Sequence, residues 1–445
     1  MEPIHLTLRP EQKYQTIEGF GASGAWWAQL VGGWPEPTRQ EIIKLLYSKT
    51  EGLGMTTYRY NLGGGSKESG KGNYWCPRRR ASDFLKPDGS CDWSRDAEAV
   101  WCLKEAARNG ADEIILFVNS PPERWTVSGM AQAKIPFKAN LRRKHEVDFT
   151  RYVLDAAEHF LAEGIPVRFI SPINEPFGPW SAKLSGQEGC HYWPRGVRRV
   201  MRLFAREMDK RSALDGVLLS GAENNNLRIM NKTYTRAVMN DPAIRGRLDG
   251  IDIHGYNDIP LLKNLKGAKR RFRGYMDKKY PGEKIRMTEW TEMRGGRDCG
   301  MESALVLANE VFEDLSVSNA VSWQLWIAVS EYDFCDGLIY IDAEQQTFDI
   351  PKRYYAFGNF TRFIPRGSVR VAIENPSDAM DALAFITPEG KHVAVLRNPG
   401  EELLISLGKG AAEMYTTDET RNLAQEKVDL KELALSARSV CTITW

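Results

Sequence analysis

Two glutamates stand where they could work as a pair. Glu175, in Ile173-Asn174-Glu175-Pro176, closes the apolar run 167–173, and Glu289, in Arg286-Met287-Thr288-Glu289-Trp290, closes another apolar run three strand-like segments later. In a parallel barrel both would sit at the carboxyl ends of strands, which face one central pocket. Two carboxylates facing each other are what glycosidic hydrolysis requires: one protonates the leaving oxygen, the other attacks the anomeric carbon or activates water. Their spacing decides the outcome, since about 5 Å permits direct attack and a covalent glycosyl-enzyme, whereas about 6.5 to 9.5 Å admits a water and inverts the centre. Either glutamate alone reads equally well as a surface carboxylate at a strand end. Asn174 favours the pair, because an amide beside the acid/base can hold the sugar hydroxyl next to the anomeric carbon.

The elements that must position these residues are legible as a repeat. Short runs, mostly rich in Ile, Val, Leu or Phe, at 17–23, 55–61, 112–119, 167–174, 216–221, 250–254, 284–289 and 320–325 alternate with amphipathic stretches such as 38–47, 96–109, 148–163, 195–212 and 301–315. That alternation predicts an α/β chain, a (β/α)8 TIM barrel over 16–363. Asp148 is the expected cap of the 148–163 helix, and Gly164 its stop. Long insertions at 63–94 and 121–146 follow strands, where active-site loops of this fold arise. Beyond Phe363 the runs 369–374, 382–386, 392–397, 403–407 and 440–445 are separated by Pro-Ser-Asp, Pro-Glu-Gly and Asn-Pro-Gly turns, the pattern of a small β-sandwich. The alternating stretch 4–8 is expected to join it, so the side domain would be discontinuous, 1–15 plus 364–445.

Bulk composition narrows the partners. Sixty Lys and Arg against 58 Asp and Glu leave a formal charge of +2 over 445 residues, too weak a field to collect nucleic acid or an anionic membrane. The basic run 78–80 reads as a solvated loop. Seven scattered cysteines without a C-x-x-C pair indicate neither zinc nor a disulfide framework. The polar N-terminal stretch has no signal-like apolar segment and no later stretch is long enough to span a bilayer, so the chain as given reads as soluble, cytoplasmic or secreted with its signal already removed.

Aromatic residues gather in the expected catalytic-face loops: Trp26, Trp27, Trp75, Trp125, Trp180, Tyr192, Trp193, Trp290 and Trp326. Flat rings suit the C–H faces of sugars, although about half of such a set would ordinarily serve the core. Trp180 and Trp326 are the preferred substrate contacts. Glu223, after the fifth run, reads either as a hydroxyl-binding carboxylate or, more simply, as a loop charge.

Taken together, these residues resemble glycoside hydrolase family 30. The resemblance covers nearly the whole chain and includes Glu18-Gly19-Phe20-Gly21, Tyr58-Arg59-Tyr60-Asn61, Asn119-Ser120-Pro121-Pro122, Asn174-Glu175-Pro176, His254-Gly255-Tyr256, Thr288-Glu289-Trp290 and Trp323-Gln324-Leu325-Trp326. It implies a retaining double displacement without metal or organic cofactor, with Glu175 as acid then base and Glu289 as nucleophile. By the same resemblance Arg59 lies beneath the nucleophile, Tyr256 donates a hydrogen bond to it, and His254 supports the pocket wall, a position that a plain core histidine would fill equally well. Asn61, Trp27 and Trp125 complete the expected sugar-binding set.

Two rival classes remain in view. A sugar-binding barrel without activity would tolerate loss of one glutamate, yet both are present; a metal-dependent lyase or isomerase would place acids at successive strand ends, where this chain has Asn119 and Trp326. The segment Gln187-Glu188-Gly189-Cys190-His191 resembles that of the family's endo-β-1,6-galactanases, and Gln187 or Glu188 is expected to read the axial O4 of galactose. Thr288-Glu289-Trp290 and Leu62-Gly63-Gly64-Gly65 depart from that pattern and point to a related sugar or a shorter oligosaccharide as further options, while β-1,6-glucan, xylan or a glucosylceramide-like glycoside stay as alternatives because members acting on them share the barrel and both glutamates.

Overall fold

The computed structural model of the chain describes residues 2–256 and 265–445. It divides into two units, Gly21–Lys44 with Thr56–Trp290, and Met1–Phe20 with Leu45–Met55 and Thr291–Trp445. The fold is a (β/α)8 barrel with a C-terminal antiparallel β-sandwich.

The Thr56–Trp290 unit carries the site. Within it Val167–Ser171, Glu113–Phe117 and Thr57–Asn61 pair in parallel in that order, as do Ala222–Asn226, Ile251–Tyr256 and Ile285–Trp290. Thr57–Asn61 and Glu113–Phe117 are buried at every residue, as expected of parallel strands covered on both faces. Period two separates Tyr58 and Tyr60 from Arg59 and Asn61. Tyr60 packs edge-on against Phe160 of the helix Glu146–Ala162, so the opposite face, with Arg59 and Asn61, points into the barrel.

Two expectations on this unit are corrected. The helix expected to start at Asp148 starts at Glu146, whose carboxylate takes both oxygens' worth of contact from Arg199; Asp148 lies within the first turn and meets His145 instead. Strand five, expected at 216–221, is split into Leu218–Leu219 and Ala222–Asn226. At the break the chain is held by Asp252 on the next strand. Its carboxylate accepts from the Ser220 hydroxyl and, at 2.7 Å, from the Gly221 N–H, while Arg286 holds it from the other side at 2.6 Å. Across the break the Ser220 N–H still donates to the Ile170 carbonyl at 2.8 Å and the Gly221 carbonyl accepts from the Asp252 N–H at 3.0 Å, and the chain continues at Ala222 with Glu223 in the left-handed region at φ 40°.

In the other unit, Thr7–Thr16 pairs with Val369–Glu374 at one edge of a seven-stranded antiparallel sheet, and Ile4–His5 pairs with Leu403–Ser406 in a three-stranded one. Leu396, Ile405, Met414, Leu435 and Ile443 form its apolar centre. Strands Ala411–Thr417, Ala424–Asp429 and Leu433–Leu435 add to those read from the sequence. The eighth barrel strand, Ser322–Ile327, belongs to this unit. No helix among the described residues is long and apolar enough to cross a membrane, and all seven cysteines are free thiols.

Candidate active site

Arg59 is the fixed charge around which the site is arranged. Fully buried, it donates from Nη1 to Glu289 Oε2 at 2.8 Å and from Nη2 to Asn174 Oδ1 at 3.4 Å, and Nη2 lies 3.5 Å from Glu223 Oε1. Its guanidinium stacks over Phe117 at 4.4 Å. Burial alone would weaken the cation, but Glu223 and Glu289 outweigh that and hold its pKa above the ordinary value.

Glu289 also accepts from the Tyr256 hydroxyl at 3.2 Å. Burial pushes the Glu289 carboxyl above the usual carboxylate range; His254 and Arg59 pull it back, and Glu175 adds to the rise. The Tyr256 phenol is driven well upward by burial and by both carboxylates, so it stays a donor.

Glu175 sits in the left-handed region at φ 45°, and its N–H donates to the Glu223 carbonyl at 3.0 Å. His254 Nδ1 lies 2.9 Å from Glu175 Oε1 and 3.6 Å from Glu289 Oε1. Burial lowers the His254 pKa despite its anionic neighbours. Oxygens of Glu175 and Glu289 approach within 4.8 Å, with His254 inside the same limit of both. That trio also has the spacing of metal ligands, but the guanidinium on Glu289 already supplies the positive charge a divalent ion would bring.

Amide groups extend the site sideways. Asn174 Nδ2 donates to Asn119 Oδ1 at 3.0 Å, and Asn119 Nδ2 donates to Asn61 Oδ1 at 3.2 Å. Since Arg59 can only donate, it fixes which end of Asn174 is oxygen and so the sense of the whole row. Asn61 Nδ2 ends the row, buried and without a partner among the described residues.

Glu223 is no loop charge. It is fully buried, its side chain accepts from the Ser171 hydroxyl and, at 3.3 Å, from Ser220, and it touches both halves of the pair: its carbonyl holds the Glu175 backbone, its carboxylate faces Arg59. Asn119, Ser171, Ser220, Asp252 and Arg286 were not singled out from the sequence as site residues. The alternation Ile251-Asp252-Ile253-His254 carried a signal, since it puts Asp252 and His254 on one strand face.

The aromatic candidates separate. Trp27 is buried, donates from Nε1 to the Ser23 carbonyl and packs edge-on against Tyr58. Trp125 is half-buried and stacked on His145. Trp180 is half-exposed and donates from Nε1 to the Glu175 carbonyl at 2.7 Å. Trp326 is buried in the other unit. Gln187 engages through its backbone carbonyl, which accepts from Gln132 and Ser185. Glu188 does not fit the expected sugar-reading role: it is enclosed, accepting from Gly64 N–H and Ser66, and burial pushes its carboxyl up to about 8.

Residues 3–241 and 285–340 match the profile described as O-Glycosyl hydrolase family 30, and 367–443 the profile described as Glycosyl hydrolase family 30 beta sandwich domain. An endo-beta-1,6-galactanase of Hypocrea rufa is 25% identical over 429 residues, covering 90% of this chain and 82% of that protein. The lysosomal acid glucosylceramidase of Mus musculus is 22% identical over 424 residues, with 89% and 78% covered. Among solved structures, a conserved exported protein from Bacteroides fragilis has the same fold, with a TM-score of 0.89 at 24% identity over 99% of this chain and 100% of that one. With both profiles matched across most of its length, the chain belongs to glycoside hydrolase family 30 and is a glycoside hydrolase acting on a carbohydrate.

Proposed function

We propose that Glu289 is the nucleophile and Glu175 the acid and then the base of a retaining β-glycosidase. The approach of their carboxyl oxygens to within 4.8 Å carries this reading, because double displacement needs the short spacing. Glu289 attacks the anomeric carbon while the bond to the leaving oxygen breaks and Glu175 delivers its proton to that oxygen. A water then gives its proton to Glu175, its oxygen bonds the anomeric carbon, and the ester to Glu289 breaks. Glycosylation removes the charge on Glu289, which lowers the cost of ionising Glu175 for the second step. Arg59 and Tyr256 stabilise the departing carboxylate, and Asn174 holds the neighbouring sugar hydroxyl, with Asn61, Trp27, Trp125, Trp180 and Gln187 around the ring.

The substrate class we propose is β-1,6-linked galactan. The likeness to the Hypocrea rufa galactanase supports it, as does the Gln187 segment. Purified protein assayed on β-1,6-galactan, β-1,6-glucan, xylan and aryl glycosides, with Glu289→Gln as blank, tests both levels. Comparable or faster hydrolysis of β-1,6-glucan would refute galactose, and inverted product would refute the mechanism. Activity lost in a strong chelator would favour the metal reading instead. We also take residues 16–363 as the barrel and 1–15 plus 364–445 as one packed module, so a cooperative, fully active protein ending near Phe363 would count against that division.

A further inference from the structure

Three ordinarily unfavourable features coincide beside Glu175. Phe137 is 41% exposed and held in the left-handed region at φ 57°, which bulky residues rarely adopt. Trp193 is 50% exposed. Between them lies His191, fully buried: its Nδ1 donates to the Gly178 carbonyl at 3.2 Å, which leaves Nε2 a bare acceptor with no partner among the described residues. The rings form one cluster, with His191 4.7 Å from Trp193 and 5.8 Å from Phe137, and Phe177 5.9 Å from Phe137. A fold gains nothing from such a combination, and local strain of this kind gathers at functional sites.

The cluster is tied to the proposed acid/base by backbone. Gly178 N–H donates to the Glu175 carbonyl at 3.0 Å and Tyr192 N–H to the Pro176 carbonyl at 2.9 Å, so the stretches that carry Phe177, His191 and Trp193 are bonded to the backbone at Glu175 and Pro176. We infer that Phe137 and Trp193 form an aromatic platform for a sugar unit on the leaving-group side of the scissile bond. This rests on Glu175 being the proton donor: the group it protonates is the departing one, so the chain beyond that oxygen lies on Glu175's side. Apolar rings half open to solvent offer a stacking face for the C–H side of a pyranose.

The test uses the full chain in a Glu289→Gln background, titrated by tryptophan fluorescence with β-1,6-galacto-oligosaccharides and β-1,6-gluco-oligosaccharides of two to six units. Binding should tighten with length, and Trp193→Ala or Phe137→Gly should weaken the longest ligand at least ten-fold more than the shortest. Phe137→Gly should also hold or raise the melting temperature, since glycine relieves the left-handed backbone; a merely structural phenylalanine would lower it. In otherwise wild-type enzyme, Trp193→Ala should lower kcat/KM on polymer far more than on aryl glycosides. Equal effects on all lengths, or no effect on any, overturn the platform. Length-dependent loss in the gluco series alone supports the platform while refuting galactose, and an active Glu289→Gln protein refutes the nucleophile without touching the binding result.

Discussion

At the barrel centre, position is fixed by charge: Arg59 bridges Glu289, Asn174 and Glu223, and Arg286 holds Asp252, which in turn shapes strand five. At the rim, position is fixed by missing side chains. A Cβ on Gly186 would meet the Trp75 ring at 2.1 Å, and one on Gly189 the Trp180 ring at 2.4 Å; Trp75, 70% exposed, also stacks on Arg79, whose other neighbour is Trp26. Placement at the centre therefore depends on charge, whereas placement at the rim depends on backbone volume. The segment that carries Gln187 is also the brace against which the Trp75 and Trp180 rings rest.

Breaking the centre should have the largest effect. Glu289→Ala should lower kcat by at least about 10^4-fold, in keeping with loss of an activated nucleophile, and azide should restore part of the turnover with inverted product, as read by NMR of the released sugar. Azide without effect would remove Glu289 from that role.

Glu223→Gln sharpens the comparison because it deletes charge and keeps shape. We expect kcat to fall roughly 10- to 100-fold, the usual range for a group that orients another. The acid limb of the pH profile should move down, since Arg59 then serves Glu289 alone and favours its anion. An unshifted limb with the same loss would mean a packing role only. In the unmodified enzyme that limb should lie above the ordinary carboxylate range: burial raises the Glu289 pKa, so its reactive anion disappears as pH falls through the raised value. A profile of kcat/KM against pH measures it directly.

Rim changes should be smaller. Gly189→Ala must displace the Trp180 ring and should cost about 1 to 3 kcal/mol of stability by overpacking, together with a rise in KM; calorimetry and kinetics on the same preparation check both. Smallest of all, Glu188→Gln should flatten the dependence of melting temperature on pH. With its pKa raised to about 8 in the fold, Glu188 contributes stability that is full below the ordinary Glu value and is lost as pH rises towards 8. The amide has no such loss. A variant with the same slope as the parent would exclude Glu188 as its source.

The barrel was legible because its strands are apolar and separated by helices of the right period; Val369–Glu374 in the sandwich matches the expected bounds outright. Ala411–Thr417 and Ala424–Asp429 were missed because their residues are mixed polar and small, and Ala424–Asp429 is largely exposed. Strand five was misplaced because its second half, Ala222–Asn226, is mostly polar, and the Asp252 contacts at Ser220 and Gly221 come from thirty-odd residues away, where no local pattern records them. The carboxylate pair was legible from its place at two strand ends. Glu223 was not, since its burial depends on the same displaced strand, and Glu188 misled because a carboxylate inside a loop reads as free until its donors, Gly64 and Ser66, are placed around it.

Glu175 and Glu223 both occupy backbone geometry that glycine or asparagine would accept more readily. The consequence is evolutionary as much as mechanical. A drifting copy released from selection would gain stability by replacing Glu175, the proposed acid/base, with glycine or asparagine, whereas loss of Glu223 would leave buried Arg59 with one counter-charge fewer. Descendants that have lost Glu175 should therefore melt higher than the parent, and a glutamate kept at that position is what continued selection on the proposed chemistry predicts.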